Sequence, residues 1–196
     1  STQYIPWAPY KSRSGIRVIN RGRNRLNLAN QVFTQSNLIK KEMIGPNTMK
    51  LTALSDLADI SNLFGQVTIP IDELGISNGE ELVIYFKSIT TNIAGGYGFL
   101  NMTFVNSYGT GLTSIANSNN PSGDSSTVTL KAIRSPQQTN MTGLRLDCGI
   151  YNPNKIKAGD YAIFDGFFIG PSSANNFVYE QPRSNDIYYI NLPTPS

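Results

Sequence analysis

Thirteen carboxylates, one cysteine and no histidine bound the chemistry open to this chain. Histidine is the usual general base near neutral pH and the commonest zinc ligand, so its absence removes both options at once. Two carboxylates can hydrolyse a glycosidic bond when they flank it. The adjacent pairs Asp72-Glu73 and Glu80-Glu81 diverge on extended backbone and read as surface charges at turns. Serine has no histidine to activate it and no nucleophile-elbow glycine pattern around it. Gly95-Gly96-Tyr97-Gly98 lacks the Lys-Ser/Thr ending and the following helix of a phosphate loop, and reads as a flexible turn. Cys148, between Leu146 and Ile150, reads as a small buried hydrophobe, and a lone cysteine forms no internal disulfide.

Binding chemistry is better represented than catalysis. Tyr85, Lys87, Asn101, Thr103, Lys131, Arg145 and Asp147 occupy the polar phase of stretches that alternate with apolar residues. If those strands are neighbours, the residues make a polar platform carrying an aromatic ring. Saccharides suit such a surface, because their C–H faces stack on rings while their hydroxyls bond to Asn, Asp, Arg and Lys. The alternative is an ordinary solvated sheet face. Tyr97 and Tyr108, in glycine-rich surroundings, form a second candidate spot. One carboxylate stands apart. Asp165 lies in the middle of Gly159–Gly170, an apolar, aromatic and β-branched run suited to a buried strand. A charge there needs a hydrogen-bonding partner or a metal.

These side chains must be carried by strands. Only 15% of residues are charged, while 21 are Asn, 17 Gly and 11 Pro, a composition that favours short strands and turns over long helices. Alternation places Leu82, Ile84 and Phe86 on one face, then Leu100, Met102 and Phe104, then Val128, Leu130 and Ala132, then Leu144, Leu146, Cys148 and Ile150. Phe104, Leu130, Leu146 and Phe164 are expected in the core. Residues 31–65 read equally as strands or as a helical turn near Leu51–Ile60. Residues 71–79 read as turns and 106–125 as a long exposed loop. Ile187–Ile190 reads as a last edge strand, and 159–170 as the strand that closes the sandwich. With no βαβ pattern and turn signals at regular spacing, the expected fold is all-β, an antiparallel jelly-roll β-sandwich. Residues 1–23 are expected to be a lead-in, 24–170 the jelly-roll domain, and 171–196 a tail. Trp7 in the lead-in is expected to pack on the domain.

No apolar run resembles a signal peptide or is long enough to span a membrane, so no membrane partner is expected. Residues 11–41 carry Lys11, Arg13, Arg17, Arg21, Arg23, Arg25, Lys40 and Lys41 and no acid. Such a stretch can contact nucleic acid or can blunt a strand edge by charge.

Tyr4-Ile5-Pro6-Trp7-Ala8-Pro9-Tyr10, followed by Asn20-Arg21-Gly22-Arg23-Asn24-Arg25-Leu26, resembles the linker and domain start of a family of carbohydrate-binding modules. These modules occur in tail and baseplate (receptor-binding) proteins of phages infecting Gram-positive bacteria, lactococcal baseplate accessory proteins among them. The run Gly159-Asp160-Tyr161 through Asp165 to Ile169 resembles the last strand of the same jelly-roll modules. The resemblance implies a non-catalytic domain that binds host cell-wall polysaccharide, among other baseplate proteins, as a homo-oligomer. It implies a place on the virion, outside the bacterial cell, and no nucleic acid partner. It also implies a structural Ca2+ held by Asp165 with ligands from the first strand near Asn27 and Asn30. This chain has Arg25-Leu26-Asn27-Leu28 where Asn-Leu-Leu is usual, and Asp165-Gly166 in place of the frequent Asp-Asp. The competing reading is a small viral jelly-roll coat protein whose basic N-terminal segment contacts nucleic acid.

Overall fold

A computed structural model describes residues 15–19, 27–121, 128–133, 140–171 and 187–191, with side chains for 27–112 and 140–171. In chain order the elements are β1 (Gly15–Ile19), a 3-10 turn (Leu28–Asn30), β2 (Ile39–Gly45), β3 (Thr48–Ala53), β4 (Asn62–Pro70) and a one-turn helix α1 (Ile71–Leu74). They continue with β5 (Glu81–Phe86), β6 (Ser88–Thr91), β7 (Tyr97–Asn106), β8 (Gly111–Pro121), β9 (Val128–Ile133), β10 (Met141–Tyr151), β11 (Tyr161–Asp165), β12 (Phe168–Pro171) and β13 (Ile187–Asn191).

Among the described residues every strand pairing is antiparallel. One sheet has the order β4-β10-β7-β8; opposite it lie β2-β3-β11-β6 and β12-β5-β9. The last two act as one kinked sheet. Asp165 stands opposite Ser88 and, three residues on, Phe168 stands opposite Tyr85, so the pairing register passes unbroken through the kink. Gly166 turns left-handed there, at φ 66°, while the Lys87 N–H still donates to the Asp165 carbonyl at 2.8 Å. Both strands change phase together. The core takes Phe86 and Phe164 before the kink, then Ile89 and Phe167 beyond it. A local distortion that flips phase on both strands keeps each buried face apolar. From β3 to β11 the chain passes repeatedly between the two sheets, the path of a jelly-roll sandwich.

The core lies between the sheets. Phe104, Leu146 and Phe164 are all buried as expected, and Leu130 lies outside the described side chains. Phe86 meets Phe164 edge-on at 5.6 Å and Phe167 at 5.2 Å. Truncating any of these rings to Ala removes about 3–5 kcal/mol. At Gly98 the sheets approach so closely that a Cβ would stand 2.5 Å from Ile89 Cγ2 and 2.9 Å from Ala162 Cβ. Tyr97 and Gly98 are thus residues of β7, with Gly98 against the opposite sheet, and not part of a flexible turn.

Several expectations change. Residues 31–65 form β2, β3 and β4, with no helix across Leu51–Ile60. Ile71–Leu74 is a helical turn closed by Gly75 at φ 63°. The expected loop 106–125 is largely β8, paired with β7 from Gly111 to Pro121. Its Asn, Ser and Gly residues show no apolar alternation, but a neighbouring strand satisfies its backbone all the same. The run 159–170 does close the sandwich, as two strands and not one. It makes β11 and β12, and β11 lies between β3 and β6. β1 and β13 pair in a two-stranded sheet of their own, so a strand lies within the expected lead-in and the last strand joins it. Trp7 and the basic residues Lys11, Arg13, Arg21, Arg23 and Arg25 lie outside the described residues.

Candidate functional site

The outer face of the sheet β4-β10-β7-β8 gathers the polar phase of three described strands. β10 contributes Arg145, Asp147 and Tyr151. Register sets Thr68 and Thr103 beside Arg145, Gln66 and Asn101 beside Asp147, and Phe64 and Phe99 beside Gly149. Asn62 and Tyr97 flank Tyr151 in the next row. β8 extends these rows, with Asn117 at the position opposite Asn101 and Asn119 opposite Phe99.

One half of the face is aromatic. Tyr97 and Tyr151 stack with ring centroids 4.5 Å apart and planes 23° apart. Tyr97 meets Phe99 edge-on at 6.5 Å, and Phe99 meets Phe64 in the same way at 6.1 Å. Gly149 makes room beneath them. A Cβ there would stand 2.3 Å from Phe99 Cζ and 2.6 Å from Phe64 Cβ.

The other half is polar. Arg145 Nε lies 3.5 Å from Asp147 Oδ1, close enough to pair charges but longer than a good hydrogen bond. Both atoms are buried and neither has a hydrogen-bond partner. Burial raises the Asp147 carboxyl above its ordinary range, while the Arg145 charge and a side-chain hydrogen bond from Gln66 oppose that shift. A buried acceptor and a buried donor left unmade each cost free energy that a ligand hydroxyl would recover. Hydroxyls both donate and accept, so one such group could serve Arg145 and Asp147 together. Asp147 is the one acid on β4, β7 and β10, and the carboxylate pair of a glycosidase is not assembled on these strands.

Asn101, Arg145, Asp147 and Tyr97 therefore come together, with Thr103. Tyr85 and Lys87 do not join them. Tyr85 is half-buried on β5 of the other sheet, opposite Phe168, and Lys87 is exposed at its kink. Lys131 belongs to β9, opposite Val83. β5 pairs with β9 and β12 and never with β7 or β10, and for that reason the expected platform divides. Tyr108 sits at the β7–β8 turn, 90% exposed, with its N–H bonded to Asn106 Oδ1. The residues missing from the sequence reading are Tyr151, Phe64, Phe99 and Gln66. Alternation already set Tyr151 in phase with Arg145 and Asp147; Phe64 lay in the stretch of undecided structure, and Gln66 opened a short strand read as ending at Pro70.

Asp165 and Asn30 do not form one ligand set. Asp165 lies on the outer face of its sheet and accepts the Thr48 hydroxyl at 2.5 Å. Phe167, two residues on and so on the same face by strict alternation, is in the core, because the kink at Gly166 intervenes. Leu28–Asn30 is a 3-10 turn and not a strand beside β11: Asn27 caps it by accepting from the Ala29 N–H at 2.9 Å. The turn is tied to Lys41 of β2, which lies opposite Leu51, and Leu51 lies opposite Ala162. Asp165 is thus two strands away, about 10 Å, and three residues further along. Calcium bonds of about 2.5 Å do not bridge that gap. No group of three or more His, Cys, Asp or Glu suited to a metal occurs among the described residues.

No family model matches the chain, and no curated protein matches it. Solved structures match it at low identity. The enzymatically active domain of tailspike protein 4 of bacteriophage CBA120 matches with TM-score 0.50 and 14% identity, over 80% of this chain and 21% of that one. The chain thus spans about a fifth of the tailspike chain. A CBM4 structure matches with TM-score 0.47 and 11% identity, over 79% of this chain and 99% of that one. The CBM22-1 xylan-binding domain from Paenibacillus barcinonensis Xyn10C matches with TM-score 0.47 and 9% identity, over 82% and 97%.

Proposed function

We propose that the chain is a non-catalytic carbohydrate-binding domain that takes a saccharide on the outer face of β4, β10 and β7. One observation carries the reading: the Tyr97–Tyr151 aromatic stack adjoins a polar centre whose Arg145 Nε and Asp147 Oδ1 lack hydrogen-bond partners. Aromatic rings take the C–H face of a sugar ring, and the polar centre orients its hydroxyls. The domain serves a phage tail or baseplate protein and binds the cell-wall polysaccharide of a Gram-positive host from the virion, alongside other baseplate proteins. The resemblance of residues 4–10 and 20–26 to the linkers of such proteins supports that setting.

The nucleic-acid reading has less to stand on. Of the basic residues in 11–41, Lys40 pairs with Glu42 at 2.8 Å and Lys41 donates to backbone carbonyls. Arg17 belongs to the paired strand β1.

Titration calorimetry of the 196-residue chain against purified Gram-positive cell-wall polysaccharides tests the proposal. Binding is expected, and Tyr151→Ala and Asp147→Ala should each weaken it about tenfold, some 1.4 kcal/mol. If no polysaccharide binds, the function is wrong. If binding persists unchanged in both variants, the face is wrong.

A further inference from the structure

Lys41 stands where the strand pattern calls for an apolar residue. It lies directly opposite Leu51, which is fully buried, and it shares its phase with Ile39 on the core side of edge strand β2. An ammonium on that side must be compensated. The compensation is all backbone and ring. Nζ donates to the carbonyl oxygens of Leu28 and Gln31, and the Ala29 carbonyl lies 3.4 Å away. The Phe33 ring centroid is 5.7 Å from the charge. Burial lowers the Lys41 pKa, as it must for a cation drawn partly out of water.

The three carbonyls converge at the end of a short 3-10 turn, where the Leu28 carbonyl also accepts the Gln31 N–H at 3.2 Å and offers its second lone pair to Lys41. A ring of neutral backbone oxygens is a hard-cation site by chemistry. The turn leads into a segment fixed on the opposite sheet. The Thr34 N–H donates to the Gln66 carbonyl at 3.0 Å, and the Gln66 N–H donates to Thr34 Oγ1 at 2.9 Å. Residues 27–34 thus cross the open edge of the sandwich, held to β2 through Lys41 and to β4 through Thr34.

We propose that Lys41 is a tethered cation. Its ammonium fills a carbonyl socket that would otherwise accept a free cation, and through it the 27–34 segment clasps the two sheets with no metal. The socket adjoins a cavity of about 420 Å³ lined by Ala29, Gln31, Phe33 and Lys41 among others. A small cation from solution has a route in once the lysine stem is gone.

The test compares thermal melting of the wild type, Lys41→Met and Lys41→Ala, each with chelator alone, with Ca2+ and with methylammonium. Wild type should melt at one temperature in all three. Both variants should melt roughly 5–15 °C lower, as expected for loss of a partly buried charge contact in a chain of this size. Methylammonium or Ca2+ should restore part of the loss in Lys41→Ala and none in Lys41→Met, whose stem still blocks the socket. A wild-type melting temperature in Lys41→Met, or a failure of every cation to raise Lys41→Ala, overturns the proposal. Should the variants not fold, the Nζ protons of Lys41 in the wild type decide by NMR. Slow exchange with water supports the socket, and exchange as fast as that of free lysine refutes it.

Discussion

Tyr97 and Tyr151 face each other across β7 and β10 with their rings stacked at 4.5 Å. The stack is a cross-strand pair, and such pairs contribute about 0.5–1.5 kcal/mol beyond the area they bury. It stands two residues along from Gly149, where the backbone is bare, and four from Asp147, where it is charged. The face thus grades from aromatic to polar along β10.

That gradient separates binding from stability. Tyr97→Ala should cost the fold about 1 kcal/mol through the lost stack, with a fall in melting temperature of a few degrees. Saccharide affinity should drop about tenfold in calorimetry. Tyr85→Ala, on the other sheet, should leave affinity at the wild-type value. A variant pattern with these effects reversed would move the site to the β5 side.

Gly149→Ala should be poorly tolerated. Its Cβ would enter the space of the Phe99 ring and the Phe64 Cβ. One or both rings must leave their places, at a cost of about 1–3 kcal/mol for overpacking. Chemical denaturation should register that loss together with loss of binding. Unchanged stability would mean that the rings do not close over Gly149.

Asp147 predicts a pH dependence with a definite sign. Burial raises its folded pKa above the ordinary aspartate value of 3.8. The folded state therefore holds the proton more tightly than the unfolded chain. The stabilisation from this group is complete below pH 3.8 and is lost as pH rises through the higher folded value. Asp147→Asn should remove that decline, giving a flatter stability profile across the same window. Saccharide binding through the ionised carboxylate should run the opposite way and weaken on acidification. Parallel melting curves for wild type and Asp147→Asn from pH 3 to 7 would show that Asp147 is solvated.

Cys148 should be inert in the folded chain. It is fully buried, and burial, with the neighbouring Asp147 charge second, pushes its thiol well above the ordinary cysteine range. The thiolate is the reactive form, so alkylation at pH 8 should wait for unfolding. Modification of the native protein at a rate near that of a free thiol would place Cys148 at the surface.

Alternation made much of the fold legible. The inward phases of Leu82, Ile84 and Phe86, of Leu100, Met102 and Phe104, and of Leu144, Leu146, Cys148 and Ile150 are those observed. Period two is a local property, imposed wherever one face of a strand is buried. It failed at β8, whose polar residues pair because β7 is there to pair with. It failed again at Asp165, where Gly166 shifts the phase and sends Phe167 inward while Asp165 stays out.

The candidate site divides on the same line. That Asn101, Arg145 and Asp147 point away from the core follows from the residues around each of them, whereas Tyr97, among glycines, read as a turn. That they share a surface, and that Tyr85 and Lys87 do not, follows from strand order, which is settled by pairings between residues distant in the chain. The Lys41 socket shows the same division. Each strand's own apolar period demands burial of one side, so local pattern suffices for an antiparallel sandwich with its core faces and its polar phases. Which strands are neighbours, where the phases break, and which backbone carbonyls meet an inward lysine emerge in the folded chain alone. Those depend on long-range register and on backbone groups that every residue carries alike.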